Sequence, residues 1–450
     1  MKRFLLGLLV FLAGLARADD YSQTARTIIE GSQQRGQPYQ RLAYLCDTFG
    51  PRLSGSQALE QAIDWAYAEM RKDGLENVRT QSVQVANWKR GDERLQLLAP
   101  YQAELPVLGL GMSVGTPEEG IEADCLVVSS FDELKQKADQ AAGKIVVFDA
   151  PFTSYGQTVA YRIRGGIEAA RVGAVAALLR SVTPTSLGTL HTGVTIYDEQ
   201  VPKIPFAAIT VEQAEMMHRC AQRGQTVRVR LKMQAETLPP ATSRNLIGEL
   251  VGRESPEEVI VLGGHIDSWD VGQGAQDDGG GCLAAWEAVR LLKELGLRPR
   301  RTLRVVLFTN EENGSQGGKT YAASVAGQIN QHVLAIESDY GVFRPTGFSF
   351  SGNPEAARTI REVAGLLSSI GADTITEPGG ATDIQPLMEQ GVPGLGLSVE
   401  PTRYFYYHHS PADTIDKVDE SELRACVATM AVMAYVVADM PVRLPFGSAK

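Results

Sequence analysis

Cysteine and histidine are both scarce in this chain. Among 450 residues there are five cysteines and six histidines. The cysteines form no C-x-x-C pair, which excludes a cysteine zinc knuckle and a C-x-x-C redox motif. Because five is an odd number, at most two disulfides can form, and we expect most of the thiols to be small buried hydrophobic groups. Any histidine that binds a metal must come from the short set of six.

Positive charge and long apolar runs are also in short supply. The chain has 43 Lys and Arg against 53 Asp and Glu, a formal net charge of −10. An acidic surface repels a phosphate backbone, so we expect no nucleic-acid partner. No stretch reaches the roughly 20 apolar residues that a membrane-spanning helix requires, so no membrane span is expected. The hydrophobic share of 44% and the charged share of 21% are typical of globular proteins, which excludes a disordered chain.

The N-terminus has the pattern of a signal peptide. Lys2 and Arg3 precede an apolar run at 4–15, and a small-residue cleavage site, Ala-Arg-Ala, follows at 16–18. The run is too short to span a membrane as a helix. We therefore predict a signal peptide at residues 1–18 and an exported bacterial protein, located either in the periplasm or in the medium.

The pattern of elements divides the rest of the chain into three segments. Residues 19–100 begin with a helical pattern and end with a strand, residues 101–240 contain short β-rich runs, and residues 241–450 alternate strand and helix. Such alternation predicts an α/β fold with a mainly parallel central sheet and helices on both faces. Ligands of such sheets bind at the carboxyl ends of the strands, so polar residues that follow a strand are the candidates for a site.

The first candidates follow the predicted strand 259–262. His265 and Asp267 are two residues apart, so their side chains share one face of an extended segment. A carboxylate there can accept the hydrogen bond of the ring nitrogen that is not bound to a metal. The alternative is a histidine beside a solvated aspartate. Further on, Asp277 and Asp278 lie in a glycine-rich turn, where adjacent carboxylates repel unless a cation lies between them, although Asp278 could instead cap the next helix.

Carboxylates also follow the next predicted strands. Glu311 and Glu312 come after the strand 304–309, where neighbouring side chains point in opposite directions, so that one can bind a metal while the other faces a water. Asp339 follows a third strand. A Lewis acid beside a carboxylate base is what metal-assisted hydrolysis requires. For the two glutamates, the alternative is a pair of solvated loop acids.

His409 is the second histidine that we expect to bind a metal. It precedes Ser-Pro-Ala-Asp-Thr, and its neighbour His408 should face the opposite way in an extended segment, so that only one of the two binds. The aromatic run 404–407 could wall a substrate pocket, but we expect an apolar strand there, and we expect a core helix at 421–440. Two histidines and three carboxylates suit zinc or a similar ion and are enough for a pair of metals.

Together, four motifs of the chain resemble one family of zinc peptidases. The motifs are GGHIDSWDVGQGAQDDGGG, TNEENGSQGG, ESDYG and HHSPADT, which begin at residues 263, 309, 337 and 408. The family includes bacterial double-zinc aminopeptidases, glutamate carboxypeptidases and carboxypeptidase Q. The chain is most similar to the carboxypeptidase Q branch over most of its mature length, and the sequence Trp-Asp-Val-Gly-Gln-Gly agrees with that branch rather than with the aminopeptidases.

The resemblance implies two zinc ions and a set of ligands. His265 and Asp339 would hold one ion, Glu312 and His409 the other, and Asp277 would bridge the two. The implied activity is that of an exported di-zinc exopeptidase that hydrolyses dipeptides or short peptides through a water shared by the metals.

The resemblance also implies roles for other residues. Glu311 would be the general base, Asp267 would orient His265, and the Asp277–Asp278 peptide would be cis. Residues 101–240 would be a protease-associated domain inserted into a catalytic domain that is built from both ends of the chain. A homodimer is implied by the resemblance alone.

Three alternative functions stay open at this point. An aminopeptidase of the same family would use the same metals, and the sequence does not show which substrate terminus is bound. A glutaminyl cyclase has a related fold with a single zinc ion, and a binding module without activity would have lost ligands. The presence of all five predicted ligands favours the hydrolase. Zinc, cobalt and manganese share these ligand types, so the physiological metal and the side-chain preference are also open.

Overall fold

Two eight-stranded sheets organise the protein. The computed structural model describes residues 21–447, and the predicted signal peptide lies outside them. The strands of the first sheet are β1 (Glu76–Lys89), β10 (Glu236–Leu250), β11 (Ser255–His265), β12 (Arg301–Phe308), β13 (His332–Glu337), β14 (Pro345–Ser351), β15 (Thr374–Thr376) and β16 (Gly394–Val399). The strands of the second sheet fall between the first two of these in the chain: β2 (Glu93–Ala99), β3 (Ala103–Leu105), β4 (Leu108–Gly109), β5 (Ile121–Val128), β6 (Ile145–Phe148), β7 (Ala176–Arg180), β8 (Phe206–Ile209) and β9 (Arg228–Met233).

Helices occur in all parts of residues 21–447. They are α1 (Ser22–Gln34), α2 (Pro38–Phe49), α3 (Gln57–Lys72), α4 (Phe131–Gln136), α5 (Tyr155–Arg171), α6 (Val211–Gln222), α7 (Gly280–Glu294), α8 (Glu311–Gly314), α9 (Gln316–Val325), α10 (Pro354–Ala364), α11 (Gln385–Met388), α12 (Tyr404–Tyr407) and α13 (Glu420–Asp439). Short 3₁₀ turns lie at Ala138–Gln140, Ala326–Gln331, Gly365–Ile370 and Ile415–Lys417. The aromatic run 404–407 is therefore the helix α12 and not the strand that its apolar residues predicted.

The first sheet is mixed, with a parallel centre. Its strand order is β1-β10-β12-β11-β13-β16-β14-β15. The four central strands β12, β11, β13 and β16 are parallel. The pairs β1–β10, β10–β12 and β14–β16 are antiparallel, and the edge strand β15 is parallel to β14. The parallel centre agrees with the alternation of strand and helix in the sequence after residue 245.

Alternate residues of β11 face two different cores. Ile260 and Leu262 belong to the apolar cluster that contains residues of α7 and α13, whereas Val259 and Val261 belong to the cluster that contains residues of α9 and α11. Successive side chains of a strand point to opposite faces, so both faces of this strand are covered by helices. This explains the unbroken apolar run in its sequence.

The helix α13 is central to the larger of these cores. It contacts α1, α7 and α10. Among residues 21–447 it is the one helix long and apolar enough to cross a membrane, and 78% of its apolar window is buried inside the protein. A core helix of a globular protein passes the same test by composition, and the burial agrees with the predicted core helix.

The part of the chain that contains the second sheet also contains helices. In its order, β3-β2-β9-β5-β6-β7-β8-β4, the four strands β5 to β8 are parallel, and helices α4, α5 and α6 lie in the same part of the chain. The β-rich pattern predicted for residues 101–240 missed the helix α5, which contains the adjacent glycines Gly165 and Gly166 in its interior, where glycine is unfavourable. The second sheet begins at Glu93, eight residues before the predicted boundary of the segment at residue 101.

Candidate metal centre

The predicted site residues lie at one edge of the first sheet. In the pairing of the parallel strands, His265 lies beside Phe308, and Gly263 lies beside Glu337. The carboxyl ends of β11, β12 and β13 therefore meet at the same edge, and the residues that follow them converge there. This register explains why residues far apart in the chain form one cluster.

His265 and Asp339 make the first half of this cluster. The His265 Nε2 atom lies 3.3 Å from Asp339 Oδ1 and 3.3 Å from Asp277 Oδ1. The His265 Nδ1–H donates to the main-chain carbonyl of Asp267 over 3.0 Å. With Nδ1 engaged as a donor, Nε2 is the nitrogen that would bind a metal between the two carboxylates.

Glu312 and His409 make the second half of the cluster. The His409 Nε2 atom lies 3.0 Å from Glu312 Oε2 and 3.4 Å from Asp277 Oδ2. Asp277 thus directs one oxygen toward His265 and the other toward His409. This arrangement is the one expected of a carboxylate that bridges two cations.

The turn that carries Asp277 is held from two sides. The Asp413 carboxylate accepts the backbone N–H groups of Gln276 and Asp277 at 2.8 and 3.0 Å. The Asp278 carboxylate accepts the N–H of His265 at 3.0 Å and that of Gly281, in the first turn of α7, at 3.1 Å. Asp278 therefore caps the helix, as one interpretation of the sequence held, and also fixes the end of β11. The Asp277–Asp278 peptide is cis.

Asp267 lies in the cluster but makes different contacts from those predicted. Its carboxylate Oδ1 is 3.8 Å from His265 Nδ1, and the main-chain carbonyl is the acceptor instead. The carboxylate accepts the backbone N–H groups of Glu311 and Glu312 at 3.2 and 3.4 Å. The side chain of Asp267 therefore holds the turn of the two glutamates, and its main chain orients His265.

Glu311 opens the short helix α8 rather than ending a strand. The residues on both sides of this helix, Asn310 and Ser315, have φ angles of 68° and 51°, in the left-handed region that few side chains favour. The Glu311 Oε2 atom lies 4.0 Å from His265 Nε2 and faces a cavity. Burial raises the pKa of Glu311 to about 8, with further contributions from the negative charges of Asp339 and Asp277. Cations bound by Asp277 and Asp339 would lower this pKa toward neutrality, where the Glu311 carboxylate can accept a proton.

His408 and His409 lie on the same side of the chain, which contradicts the prediction that they face opposite ways. His409 has a φ of 58°, so the segment is not extended at this point. The two rings stack with their centroids 3.6 Å apart, and His408 Nε2 lies 3.8 Å from Asp277 Oδ2. Both histidines line the same cavity.

The donor set of the cluster fits divalent cations. Asp277 Oδ2 and both carboxylate oxygens of Glu312 are buried and have no hydrogen-bond partner. Within residues 21–447, overlapping groups of three donors lie within 4.8 Å of one another, among them His265, Asp277 and Glu312. Burying several carboxylates together is unfavourable unless a positive charge compensates them.

The protonation states of the cluster indicate the same need for positive charge. Burial and the charge of Asp277 raise the pKa of Glu312 well above its ordinary value. For His265, burial favours the neutral ring, but the Asp277 and Asp339 carboxylates outweigh burial and raise its pKa well above 6.5. The negative charge of these carboxylates thus stabilises a proton on His265, and a bound metal cation would compensate the same charge.

A cavity of about 480 Å³ opens onto the cluster. Tyr155, Arg162 and Ile196 of its lining come from the part of the chain that contains the second sheet, whereas Tyr340 and Phe405 come from the part that contains the first. Tyr155 stacks on Phe405 with a centroid distance of 4.9 Å, so the two parts of the protein meet at the cavity. Arg162 and Tyr155 carry no signal in the sequence, because no motif surrounds them and they are distant in the chain from every metal candidate.

Comparisons with known proteins agree with this fold. Residues 245–434 match Peptidase family M28. Carboxypeptidase Q of Mus musculus is 46% identical over 429 residues, which cover 95% of this chain and 91% of the relative. A Peptidase M28 precursor from Shewanella amazonensis SB2B has a structure that superposes with a TM-score of 0.93 at 32% identity, covering 96% of this chain and all of that one. BSAP, a zinc aminopeptidase from Bacillus subtilis, shares the fold with a TM-score of 0.67 at 20% identity, over 90% of this chain and 95% of that one.

The fold, the buried donor set and these relatives together define a metallopeptidase. More particularly, the chain belongs to Peptidase family M28.

Proposed function

We propose that the protein is an exported di-zinc exopeptidase that hydrolyses dipeptides or short peptides. The observation that carries the proposal is the position of Asp277, whose two carboxylate oxygens lie between the pair His265–Asp339 and the pair Glu312–His409. Two such pairs around one carboxylate give each of two cations a histidine and two carboxylates. A glutaminyl cyclase with one zinc ion would not need the second pair.

The proposed metals supply Lewis acidity, which lowers the pKa of water from 15.7 toward about 7 and polarises a peptide carbonyl. In this assignment His265 and Asp339 would hold one zinc ion, Glu312 and His409 would hold the other, and Asp277 would be a ligand of both. Asp267 and Asp413 would not be ligands. They keep the turns of the glutamates and of Asp277 in place through the backbone hydrogen bonds described above.

Glu311 is the proposed general base. It removes a proton from water, and the water oxygen forms a bond to the carbonyl carbon of the substrate. Glu311 Oε2 then holds that proton and gives it to the nitrogen of the leaving amine as the C–N bond breaks. The side chain is placed for both transfers, because it lines the cavity and its Oε2 atom lies 4.0 Å from His265 Nε2.

We infer that the enzyme binds the free carboxylate of its substrate. The carboxylates that line the cavity are Asp277, Glu311, Glu312 and Asp339, and all four have proposed roles at the metals or as the base. A substrate ammonium group would have to compete with zinc for them. The one arginine or lysine in the lining is Arg162, whose Nη1 lies 3.4 Å from the Thr192 carbonyl oxygen and whose Nη2 donates to the Tyr155 hydroxyl at 3.1 Å. Nη2 carries a second hydrogen, which it can donate to a substrate carboxylate.

Blocked dipeptides test which end is bound. We expect hydrolysis of a free dipeptide and of its N-acetyl derivative, loss of hydrolysis when the carboxyl end is amidated, and loss of all activity with a chelator that restoring zinc reverses. Hydrolysis of the amide but not of the N-acetyl derivative would favour an aminopeptidase, the activity named for the Bacillus subtilis neighbour.

Arg162→Gln should reduce kcat/KM for the free dipeptide by roughly 10- to 100-fold, since a hydrogen bond to a charged group contributes about 1.5–3 kcal/mol. The measurement is the ratio of kcat/KM for the dipeptide to kcat/KM for its amide, and this ratio should fall in the variant. Arg164→Gln is the matched control, because Arg164 is exposed and lies on the same helix, two residues after Arg162. An unchanged ratio in Arg162→Gln would show that Arg162 does not bind the substrate carboxylate.

The domain organisation and location of the enzyme are proposed on separate grounds. The strands of the second sheet lie in the chain between β1 and β10, and residues of the same segment line the cavity. Both observations support an inserted protease-associated domain close to the predicted 101–240. The pattern at residues 1–18 supports export. The homodimer is still a prediction from the resemblance.

A further inference from the structure

Two residues of the inserted part of the chain, His191 and Thr192, contact the main chain on both sides of His409. We propose that His191 and Thr192 are positioning residues for His409, so that the inserted segment helps to hold the second zinc ion. This inference rests on the proposed function, because it requires His409 to bind a metal.

The contacts fix the backbone of His409 before and after its Cα atom. His191 Nδ1–H donates to the carbonyl of His408 over 2.7 Å, and the backbone N–H of Thr192 donates to the carbonyl of His409 over 2.8 Å. These two carbonyls belong to the peptide groups on either side of the His409 Cα. Because the planes of the two peptides determine φ and ψ, the two hydrogen bonds hold both angles.

His409 needs such support more than most residues. Its φ of 58° lies in the left-handed region, which only a few per cent of residues other than glycine adopt. In an ordinary extended conformation neighbouring side chains point apart. The ring would then leave its place beside Glu312 and Asp277.

Thr192 also contacts the ring of His409. Its carbonyl oxygen lies 3.3 Å from His409 Nδ1, and Arg162 Nη1 lies 3.4 Å from the same oxygen. Arg162 Nη1 is 3.1 Å from His409 Nδ1 as well. If Nε2 binds a metal, the proton is on Nδ1, so the carbonyl of Thr192 accepts from both groups. Hydrogen bonds of this kind set the orientation of metal-bound imidazoles.

The position of His191 is itself determined by the second sheet. The residue is 1% exposed, its Nε2 accepts from the Thr189 hydroxyl at 3.0 Å, and its backbone N–H donates to Ser181 Oγ at 3.0 Å. Ser181 directly follows β7. The contact therefore runs from a strand of the second sheet to a proposed metal ligand of the first.

Zinc affinity of three His191 variants tests the proposal. Zinc is titrated into metal-free protein in competition with a chromophoric chelator, so that the two binding steps are resolved. His191→Leu and His191→Gln should weaken one of the two zinc sites by about tenfold or more, the usual cost of losing a partner of a metal ligand, and leave the other unchanged. His191→Asn should retain both affinities, because its amide nitrogen can lie where Nδ1 lies, whereas that of glutamine lies one bond farther out.

His332→Leu is the matched control for loss of a buried imidazole. His332 is 2% exposed, bonds the Tyr321 hydroxyl at 3.0 Å and begins β13, at the end opposite the site. It should bind both zinc ions as the wild type does, and the thermal unfolding of each metal-free variant is measured alongside. The proposal is overturned if the Leu and Gln variants bind both ions normally, if Asn is as weak as Leu, or if His332→Leu weakens the same site. Wild-type protein that binds fewer than two zinc ions would instead overturn the proposed function.

Discussion

Replacing Glu311 with glutamine should lower kcat by about 10²- to 10⁴-fold, the range that a general acid–base group contributes. The amide has nearly the same size but cannot accept the proton of the water. Glu311 is not a proposed metal ligand, so the variant should keep both zinc ions. KM for the dipeptide should change little, since the side chain does not bind the substrate termini.

Steady-state kinetics and elemental analysis of the same preparation check this prediction. Glu389→Gln makes the same substitution at an exposed glutamate beside the cleft and should behave as the wild type. If Glu311→Gln retained more than about a tenth of the wild-type kcat with its zinc in place, another group would have to act as the base. If zinc were lost as well, Glu311 would be a ligand rather than the base.

Replacing Asp277 with asparagine should remove the bridge between the two metals. A neutral amide offers one oxygen and one N–H₂ group, so it can contact at most one cation as a ligand. We expect the zinc content to fall from two ions per chain to one or fewer, and activity to fall to the level of the chelated enzyme. The thermal stabilisation that added zinc gives the wild type should shrink accordingly, since a ligand stabilises only the protein that binds it.

Two measurements separate a lost bridge from a misfolded protein. Metal-free Asp277→Asn should still unfold in one cooperative transition, but at a lower temperature than the metal-free wild type, because the substitution removes the carboxylate that pairs with His265. Asp373→Asn, at an exposed position, is the control for the substitution itself. An Asp277→Asn variant with two zinc ions per chain would rule out the bridging role.

The convergence of the candidate ligands could be predicted from the sequence for a physical reason. His265, Glu312 and Asp339 each follow a buried strand, and parallel strands bring their carboxyl ends to one edge. Asp277 follows in a turn whose glycines and paired carboxylates are unusual in a surface loop. The alternation of strand and helix predicted the parallel sheet. The unbroken apolar run of β11 predicted in addition that helices cover both faces of this strand.

The features that could not be predicted depend on local backbone angles or on distant contacts. The common direction of His408 and His409 follows from the positive φ of His409, which no rule for extended segments predicts. The role of the Asp267 side chain depends on backbone N–H groups at 311 and 312, whose directions appear only once α8 has formed. Arg162 lies on the helix α5, in the inserted part of the chain, and its approach to His409 depends on how this part packs against the first sheet.

The most direct test of this account is a crystal structure of the zinc-loaded protein with anomalous data recorded at the zinc absorption edge. The account predicts two peaks about 3.5–4 Å apart. One peak should lie against His265 and Asp339, the other against Glu312 and His409, and Asp277 should contact both. A single peak, or none among these five residues in crystals that contain zinc, would contradict it.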